Sequence, residues 1–69
     1  MSNPEIAKNG TKQWFNSQGQ LHREDGPAVI WPNGGKFWFK NGLSHREDGP
    51  ADEYGNGKKH WYIEGKRIE

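Results

Sequence analysis

The 69-residue chain contains no cysteine, and only 29% of its residues are apolar. The lack of cysteine excludes disulfide bonds and thiolate zinc sites, and it fits a reducing compartment. The small apolar share limits the core that one domain of this length can form, so we expect modest stability. Four Trp residues partly offset this shortage, because aromatic rings bury more area per residue than aliphatic side chains do. The sequence therefore predicts a thin aromatic core.

The chain also lacks a dominant charge and a long apolar run. Ten basic and nine acidic side chains leave a net charge of +1, so no global field attracts nucleic acid or an anionic membrane. The first residues, Met1 to Glu5, lack the basic and apolar blocks of a secretory signal. We expect a soluble, cytoplasmic protein that uses no cofactor and has no membrane partner.

One segment of seven residues occurs twice. His-Arg-Glu-Asp-Gly-Pro-Ala covers residues 22–28, the first motif, and returns unchanged at residues 45–51, the second motif. An identity of this length at a 23-residue offset indicates a tandem repeat. If each unit begins at proline, the predicted single domain of residues 1–69 divides into units 4–26, 27–49 and 50–69.

Turn residues and aromatic residues follow the same order in each predicted unit. An Asn-Gly pair comes first, two adjacent aromatic residues follow it, and a further glycine comes next. Glycine, asparagine and proline recur too closely to leave room for a helix of ordinary length, and they favour short strands joined by tight turns. The predicted fold is all-β, a meander of short antiparallel hairpins built from three tandem repeats of about 23 residues.

The turn signals also predict where the strands lie. We expect strands near residues 11–16, 20–24, 28–32, 35–40, 43–47, 51–54, 58–64 and 66–69, and an opening strand at residues 6–8. Strand alternation would place Trp38 on one face and both Phe37 and Phe39 on the other. Ala28 and Ala51 follow the Asp-Gly-Pro step, where a small side chain indicates close approach of a neighbouring strand or ring. The glycine of that step is expected to adopt backbone angles that other residues avoid.

The repeated motif contains a possible general base, a cation and two carboxylates, which are components of an enzyme site. Strand alternation separates them, because His22 and Glu24 share one face while Arg23 points to the other. A set that recurs at the repeat period is more simply a folding device, with Asp capping turn amides and Arg pairing with a carboxylate of a neighbouring unit. The residues given this structural role are His22, Arg23, Glu24, Asp25, Gly26 and Pro27, with His45, Arg46, Glu47, Asp48, Gly49 and Pro50. No catalytic residue is predicted.

The histidines and lysines raise two further possibilities. A metal site is not predicted, because His60 breaks the repeat period and shares no constellation with His22 and His45. Nucleic-acid binding is the alternative function, since aromatic residues interleaved with Lys can stack on bases and hold phosphates. A local basic cluster that includes Lys58 and Lys59 would supply the charge.

Differences between the units indicate where a partner binds, because repeated residues tend to hold a repeat together. Val29 and Ile30 become Asp52 and Glu53 one unit later. The predicted partner surface consists of Trp31, Phe37, Lys40, Glu53, Tyr54, Lys58, Lys59 and His60. We expect a protein partner at this surface.

Residues 66–69 form a short charged segment where another motif would begin. Such a segment resists further pairing at a sheet edge. The alternative is that the edge pairs with the same edge of a second molecule, which would give a homodimer and remedy the thin core.

Residues 54–66, Tyr-Gly-Asn-Gly-Lys-Lys-His-Trp-Tyr-Ile-Glu-Gly-Lys, resemble MORN and MORN-like repeats, whose units alternate aromatic strands with Asn-Gly and Gly turns. The seven-residue motif departs from MORN proper and is similar to short repeat proteins of tailed phages, large DNA viruses and predicted bacterial antitoxins. The resemblance implies a meander of hairpins that acts as a protein-binding or lipid-associated scaffold without catalytic residues. It implies a small interaction module, either a phage-type accessory protein that binds and inhibits a host protein or an antitoxin-like binder.

Overall fold

The regular structure of the chain is entirely β in the computed structural model, which describes residues 4–68. The ten strands have two residues each. They are β1 (Glu5–Ile6), β2 (Lys12–Gln13), β3 (Val29–Ile30), β4 (Lys36–Phe37), β5 (Phe39–Lys40), β6 (Leu43–Ser44), β7 (Asp52–Glu53), β8 (Lys59–His60), β9 (Tyr62–Ile63) and β10 (Lys66–Arg67). No helix able to span a membrane occurs between residues 4 and 68. The predicted all-β class is confirmed, while the parts of the predictions that fall on residues 1–3 and 69 lie outside the described residues.

The strands form one narrow sheet and two small hairpins. Strands β1, β2, β3, β4, β7 and β8 lie side by side in that order, and every neighbouring pair is antiparallel. Outside this sheet, β5 pairs with β6 and β9 pairs with β10. Phe15 and Leu21 form an isolated bridge, which is all the strand pairing found where the sequence predicted a strand at 20–24.

The backbone changes partners at tryptophan, and this makes the strands shorter than predicted. Trp38 N donates to Ala51 O in the sheet at 2.7 Å, whereas Trp38 O accepts from His45 N on the hairpin side at 3.1 Å. The predicted strand 35–40 is therefore divided into β4 and β5, and the predicted strand 58–64 is divided in the same way around Trp61. Phe37 and Phe39 consequently belong to different sheets and do not share the face that alternation predicted.

The three Asn-Gly turns have the same geometry. Each Asn side-chain oxygen accepts a hydrogen bond from the backbone N–H two residues later, at 3.0 to 3.1 Å. The following glycines have positive φ angles, at Gly10 (94°), Gly34 (93°) and Gly57 (95°). A three-residue loop that ends in such a glycine is a common connection between antiparallel strands. These turns join β1 to β2, β3 to β4 and β7 to β8.

The core is small, and most of its residues lie beside the tryptophans at which the backbone changes hydrogen-bond partners. Ala28 and Ala51 have no exposed surface, and Val29 and Trp14 are also buried. Trp14 N donates to Ala28 O at 2.8 Å, which matches the bond between Trp38 and Ala51. The close approach predicted at both alanines is confirmed, because each lies between two strands.

The first and second motifs each hold the tight turn of the following hairpin. His22 Nδ1 accepts a hydrogen bond from Asn41 N, and His45 Nδ1 accepts one from Glu64 N, both at 2.9 Å. Because Nδ1 accepts, the ring proton lies on Nε2 in the neutral form and points at the motif's own glutamate, 3.4 or 3.2 Å away. The two copies therefore occupy equivalent surroundings, 23 residues apart.

The arginine of each motif covers a tryptophan. The Arg23 guanidinium lies 3.9 Å from the ring centroid of Trp14, and the Arg46 guanidinium lies 3.8 Å from that of Trp38. Each guanidinium also donates to the carbonyl of its motif's proline at 3.1 Å. A cation placed over an indole ring is attracted to it, and the planar guanidinium adds a stacked contact. The motif is thus a lid over the tryptophan at which the backbone changes partners.

The motif glycines have a different role from the predicted one. Neither Gly26 nor Gly49 is among the glycines with positive φ. A Cβ atom at Gly26 would lie 3.1 Å from Cζ of Arg23, and one at Gly49 would lie 2.9 Å from Cζ of Arg46. A side chain at either position would push the guanidinium away from its tryptophan, so glycine preserves the close stacked contact.

The motif carboxylates also differ from expectation. Asp25 and Asp48 accept from Nε of their motif's arginine, at 3.2 and 3.1 Å, and do not cap turn amides. The predicted pairing of Arg with a carboxylate of the next unit is confirmed for Arg46, whose Nη1 lies 3.2 Å from Glu53 Oε2. The first motif has no such pair, because Ile30 occupies the equivalent position.

Replacing Arg46 by Met should lower the free energy of unfolding more than the matched change at Arg23. Both variants lose the stacked contact and the hydrogen bond to the proline carbonyl, at a cost of about 1–2 kcal/mol. Arg46→Met additionally removes the ion pair with the half-buried Glu53, which adds up to about 1 kcal/mol. Urea unfolding followed by tryptophan fluorescence measures both changes, and equal losses would contradict the role given to Glu53.

Replacing Glu64 by Asn should stabilise the protein. Asn41-Gly42 and Glu64-Gly65 are two-residue hairpin turns with φ of 51° and 81°, and 50° and 83°. Both central positions of such a turn need positive φ, which Asn tolerates better than Glu does, so a gain of about 1 kcal/mol is expected. The matched change, Asn41→Glu, should cause a loss of similar size. Chemical denaturation of both variants tests this, and a neutral or destabilising Glu64→Asn would contradict it.

Candidate protein-interaction surface

Four rings lie in an unbroken row across one face of the sheet, and we call Trp31, Phe37, Tyr54 and His60 the aromatic row. The ring centroids of successive members are 5.8, 5.2 and 5.8 Å apart. The planes of successive rings are inclined by 68°, 68° and 89°, so every contact is edge to face. This arrangement is favourable for aromatic pairs, and it fixes the orientation of each ring.

The row follows directly from strand register. Val29 pairs with Phe37, and Asp52 pairs with His60. Trp31 and Tyr54 lie two residues further along their chains, so their rings are diagonal neighbours of the rings on the next strand. Phe37 also lies opposite Asp52, which brings its ring beside Tyr54. The row therefore crosses β3, β4, β7 and β8, although its members are spread over 30 residues of sequence.

The largest ring and the phenol of the row are open to solvent. Trp31 is 37% exposed and Tyr54 is 41% exposed, while Phe37 and His60 between and beside them are half-buried. Solvent-facing aromatic side chains are common at the centres of protein–protein interfaces, where Trp and Tyr contribute more binding energy than most residues. The row thus combines a rigid base with two accessible anchors.

Asp52 adds a polar group to the same face. Its Oδ1 accepts a hydrogen bond from Ser44 Oγ at 3.0 Å, and it lies opposite His60 in the register. Burial raises the pKa of the Asp52 carboxyl above its ordinary value of 3.8, while the Ser44 hydrogen bond and the charge on His60 lower it by less.

Half of the predicted partner surface does not belong to the row. Lys40 lies on β5, outside the six-stranded sheet. Glu53 and Lys59 are directly opposite each other, and each is adjacent in sequence to a residue of the row face, so both point to the other face. Lys58 is not a member of the row, but it lies beside it, because its carbonyl accepts a hydrogen bond from Tyr54 N at 2.8 Å.

The other face of the sheet carries a strip of charged and aliphatic side chains. Its members, in order across the strands, are Ile6, Lys12, Ile30, Lys36, Glu53 and Lys59. Lysine therefore alternates with isoleucine or glutamate along the strip. The rings and most of the lysines of the sheet are thus on opposite faces.

Sequence reasoning missed Asp52 and Ser44 as members of the candidate site. The change from Val29 to Asp52 was visible between the two copies, and it was a signal that this position differs in chemistry. Ser44 gave no signal, because its approach to Asp52 depends on the folding of the β5–β6 hairpin back towards the sheet.

The two motifs border an open groove of about 910 Å³, which Trp38 and Phe39 also line. The carboxylates of Asp25 and Asp48 in its lining are each 89% exposed. These carboxylates and their arginines already pair within each motif, as described above, and no cluster of three metal-binding side chains occurs in residues 4–68. The charged motif side chains that line the groove are therefore already paired within their motifs, in keeping with a structural role of the motifs.

Comparison with known proteins adds no family. No protein-family model, no curated protein and no solved structure matches this chain. What the chain does is therefore inferred from its own surfaces, of which the aromatic row is the most distinctive.

Replacing Asp52 by Asn should stabilise the protein at about pH 7 but not in acid. Since the pKa of Asp52 is higher in the folded protein than in the unfolded chain, the stabilisation from its neutral form is fully present below 3.8 and is lost as pH rises through the folded value. Asn is neutral throughout and retains an oxygen for Ser44. Urea unfolding should show a gain in the free energy of unfolding at about pH 7, and this gain should disappear at a pH below 3.8. A variant that is less stable than wild type at pH 7 would contradict the cost of burial assigned here.

Proposed function

We propose that this chain is a small non-enzymatic protein-binding module and that the aromatic row is the surface which contacts the partner. The observation that supports this is the row itself, four rings in continuous contact with Trp31 and Tyr54 accessible to solvent. A globular chain with a small core has reason to bury its largest rings, so exposed rings on a rigid base favour a binding role.

The form of the row indicates what kind of partner surface it fits. The strands have two residues each, so the row is a narrow line of rings, and its members line neither of the two grooves beside the motifs. A line of exposed rings of this kind fits a groove or concave patch of a partner. Trp31 and Tyr54 bury apolar area while their N–H and O–H groups reach polar atoms of the partner. The carboxylate of Asp52 supplies an acceptor beside them. The proposed partner is therefore a folded protein with an apolar groove that has donor groups at its rim.

The resemblance stated above extends the proposal. A module of this kind is a phage-type accessory protein that binds and inhibits a host protein, or an antitoxin-like binder. In either role the chain needs no catalytic group, because occupying a surface of the target is sufficient for inhibition.

Binding of single-stranded nucleic acid is the second candidate function. Exposed rings can stack on bases, and Lys58 lies at the end of the row. The distribution of charge favours a protein partner, because Lys36 and Lys59 are on the other face of the sheet and Asp52 shares the face of the rings. A backbone of phosphates lying along the row would meet a carboxylate and few cations.

Removing the two exposed rings should abolish partner binding while the fold remains. Trp31→Ala combined with Tyr54→Ala removes most of the accessible aromatic area of the row. The immobilised wild type should capture a stoichiometric protein from a lysate of its natural cell, and the double variant should lose at least about tenfold in affinity, the effect of a hot-spot residue. Leu43→Ala is the matched control, since Leu43 is 49% exposed but lies outside the row.

Three results decide between the candidates. Loss of capture in the double variant but not in Leu43→Ala, with unchanged far-ultraviolet circular dichroism, supports the proposal. Capture that is equal in all three proteins removes the aromatic row as the binding surface. Recovery of nucleic acid that is lost steeply as salt is added supports the second candidate function instead.

A further inference from the structure

The six-stranded sheet consists of two kinds of strand that alternate. Strands β1, β3 and β7 precede an Asn-Gly turn, and β2, β4 and β8 follow one. The sheet begins with a strand of the first kind and ends with one of the second kind. Its two outer edges, β1 and β8, are therefore of different kinds. Inside the sheet, strands of these two kinds pair with each other, as β2 does with β3 and β4 with β7.

Two inner junctions, the pairings of β2 with β3 and of β4 with β7, define the register in which a strand of the second kind pairs with one of the first kind. Between β2 and β3, Lys12 lies opposite Ile30, and between β4 and β7, Lys36 lies opposite Glu53. Continuing the same register beyond β8 places Lys59 opposite a residue equivalent to Ile30. Within β1 that residue is Ile6, so the pairing of Lys12 with Ile30 would recur as a pairing of Lys59 with Ile6.

The backbone at both edges is oriented for this pairing. Trp14 N and Trp38 N each donate to an alanine carbonyl across an inner junction, at 2.8 and 2.7 Å. Within residues 4–68, no acceptor is found for Trp61 N, which holds the equivalent position beside β8. The backbone N–H that is hydrogen-bonded at Trp14 and Trp38 is therefore available to a further strand at Trp61, at the edge of the sheet.

The polar groups of the edge strands point outward in the same sense. Ala7 N donates to Thr11 O, and Tyr54 N donates to Lys58 O, so these residues face their inner neighbours. Alternate residues of an antiparallel strand point to opposite sides. The N–H and C=O groups of Ile6 and Lys59 therefore point away from the sheet, towards the free edges.

The exposed apolar surface lies at the same edge. The Ile6 side chain is 64% exposed, whereas Ile30 at the equivalent inner position is half-buried. The edges are no shorter than the inner strands, since every strand has two residues. Strand length therefore does not distinguish a free edge from an inner junction.

We propose that β8 binds β1 of a second copy of this chain, head to tail and antiparallel, with Lys59 opposite Ile6 and His60 opposite Glu5 of that copy. The occupant is a second copy because this chain itself carries a strand of the required kind, with its polar groups outward and its isoleucine exposed. The pairing of His60 with Glu5 adds an acid beside an imidazole, which is favourable when the imidazole is protonated.

The two contacting surfaces are different, so the interface is heterologous and each bound copy leaves one edge of each kind open. Such contacts produce open chains or closed rings rather than only symmetric dimers. The area is small, so association is weak and depends on concentration.

Proline variants at the two edges test the proposal. Ile6→Pro and Lys59→Pro each remove an N–H that points outward, which edge strands tolerate, and each blocks one edge. In sedimentation velocity, the average mass of wild type should rise with concentration, as should that of the controls Ile6→Val and Lys59→Arg. Each proline variant alone should stay monomeric. An equimolar mixture of the two should form a species of two chains that grows no further, because each variant retains the edge that the other lacks.

Several outcomes would overturn the proposal. Wild type that keeps a constant monomer mass up to about 1 mM has no such contact. A proline variant that associates alone as wild type does would indicate pairing of like edges. Folded variants that do not combine in the mixture would exclude the head-to-tail register.

Cysteine pairing gives a second measurement that needs no proline. Because the chain has no cysteine, Glu5→Cys in one sample and His60→Cys in another introduce one thiol each. The two positions are opposite in the proposed register, at a separation that a disulfide can bridge. Mild oxidation of the mixture should give mainly the mixed dimer, whereas Glu5→Cys with Lys59→Cys should not. Equal yields from both mixtures would overturn the register.

Discussion

The structure depends on a division of hydrogen bonds at each tryptophan. The N–H group of Trp14 or Trp38 bonds to a buried alanine in the sheet, and its C=O group bonds to a motif histidine on the other side. One residue therefore joins the sheet to the hairpin that leaves it. The alanine has to be small because two strands meet there, and the tryptophan has to be covered because its backbone is the junction. Strand length, turn position and motif placement all follow from this constraint.

The motifs replace part of the core that the composition cannot supply. A cation over an indole ring, a histidine that holds the next turn and a bond to the proline carbonyl are each worth about 1 kcal/mol or more. They act together over every tryptophan that a motif covers. Polar residues are thus used for cohesion where a richer sequence would use aliphatic ones, which explains how a chain that is only 29% apolar forms a defined fold.

Much of the fold could be predicted from the sequence, because the residues that form its turns and strands are close together in the chain. Asn-Gly turns, aromatic strands and the all-β class all follow from residues within a few positions of one another. The division of the strand at Trp38 could not, since it depends on the distant Ala51 accepting from the Trp38 N–H while His45 donates to the Trp38 C=O. The role of Gly49 is missed as well, because the sequence does not show that the Arg46 side chain lies over Trp38 and so passes close to Gly49. Of the predicted partner surface, the four rings of the aromatic row lie together on one face, whereas Glu53 and Lys59 point to the other, because a difference between copies carries no information on which face a residue occupies.

The reach of each motif also has a consequence for how such a chain changes over generations. Each motif contacts its own tryptophan, the hairpin that comes next and neighbouring strands of the sheet, so its contacts stay within its own unit and the adjacent one. Duplication of the stretch of gene that encodes one unit would therefore add a unit together with all of its contacts, and no existing unit would need to change. Lengthening by duplication and lengthening by stacking of separate molecules would then be two routes to the same extended ribbon, one written in the genome and the other set by concentration.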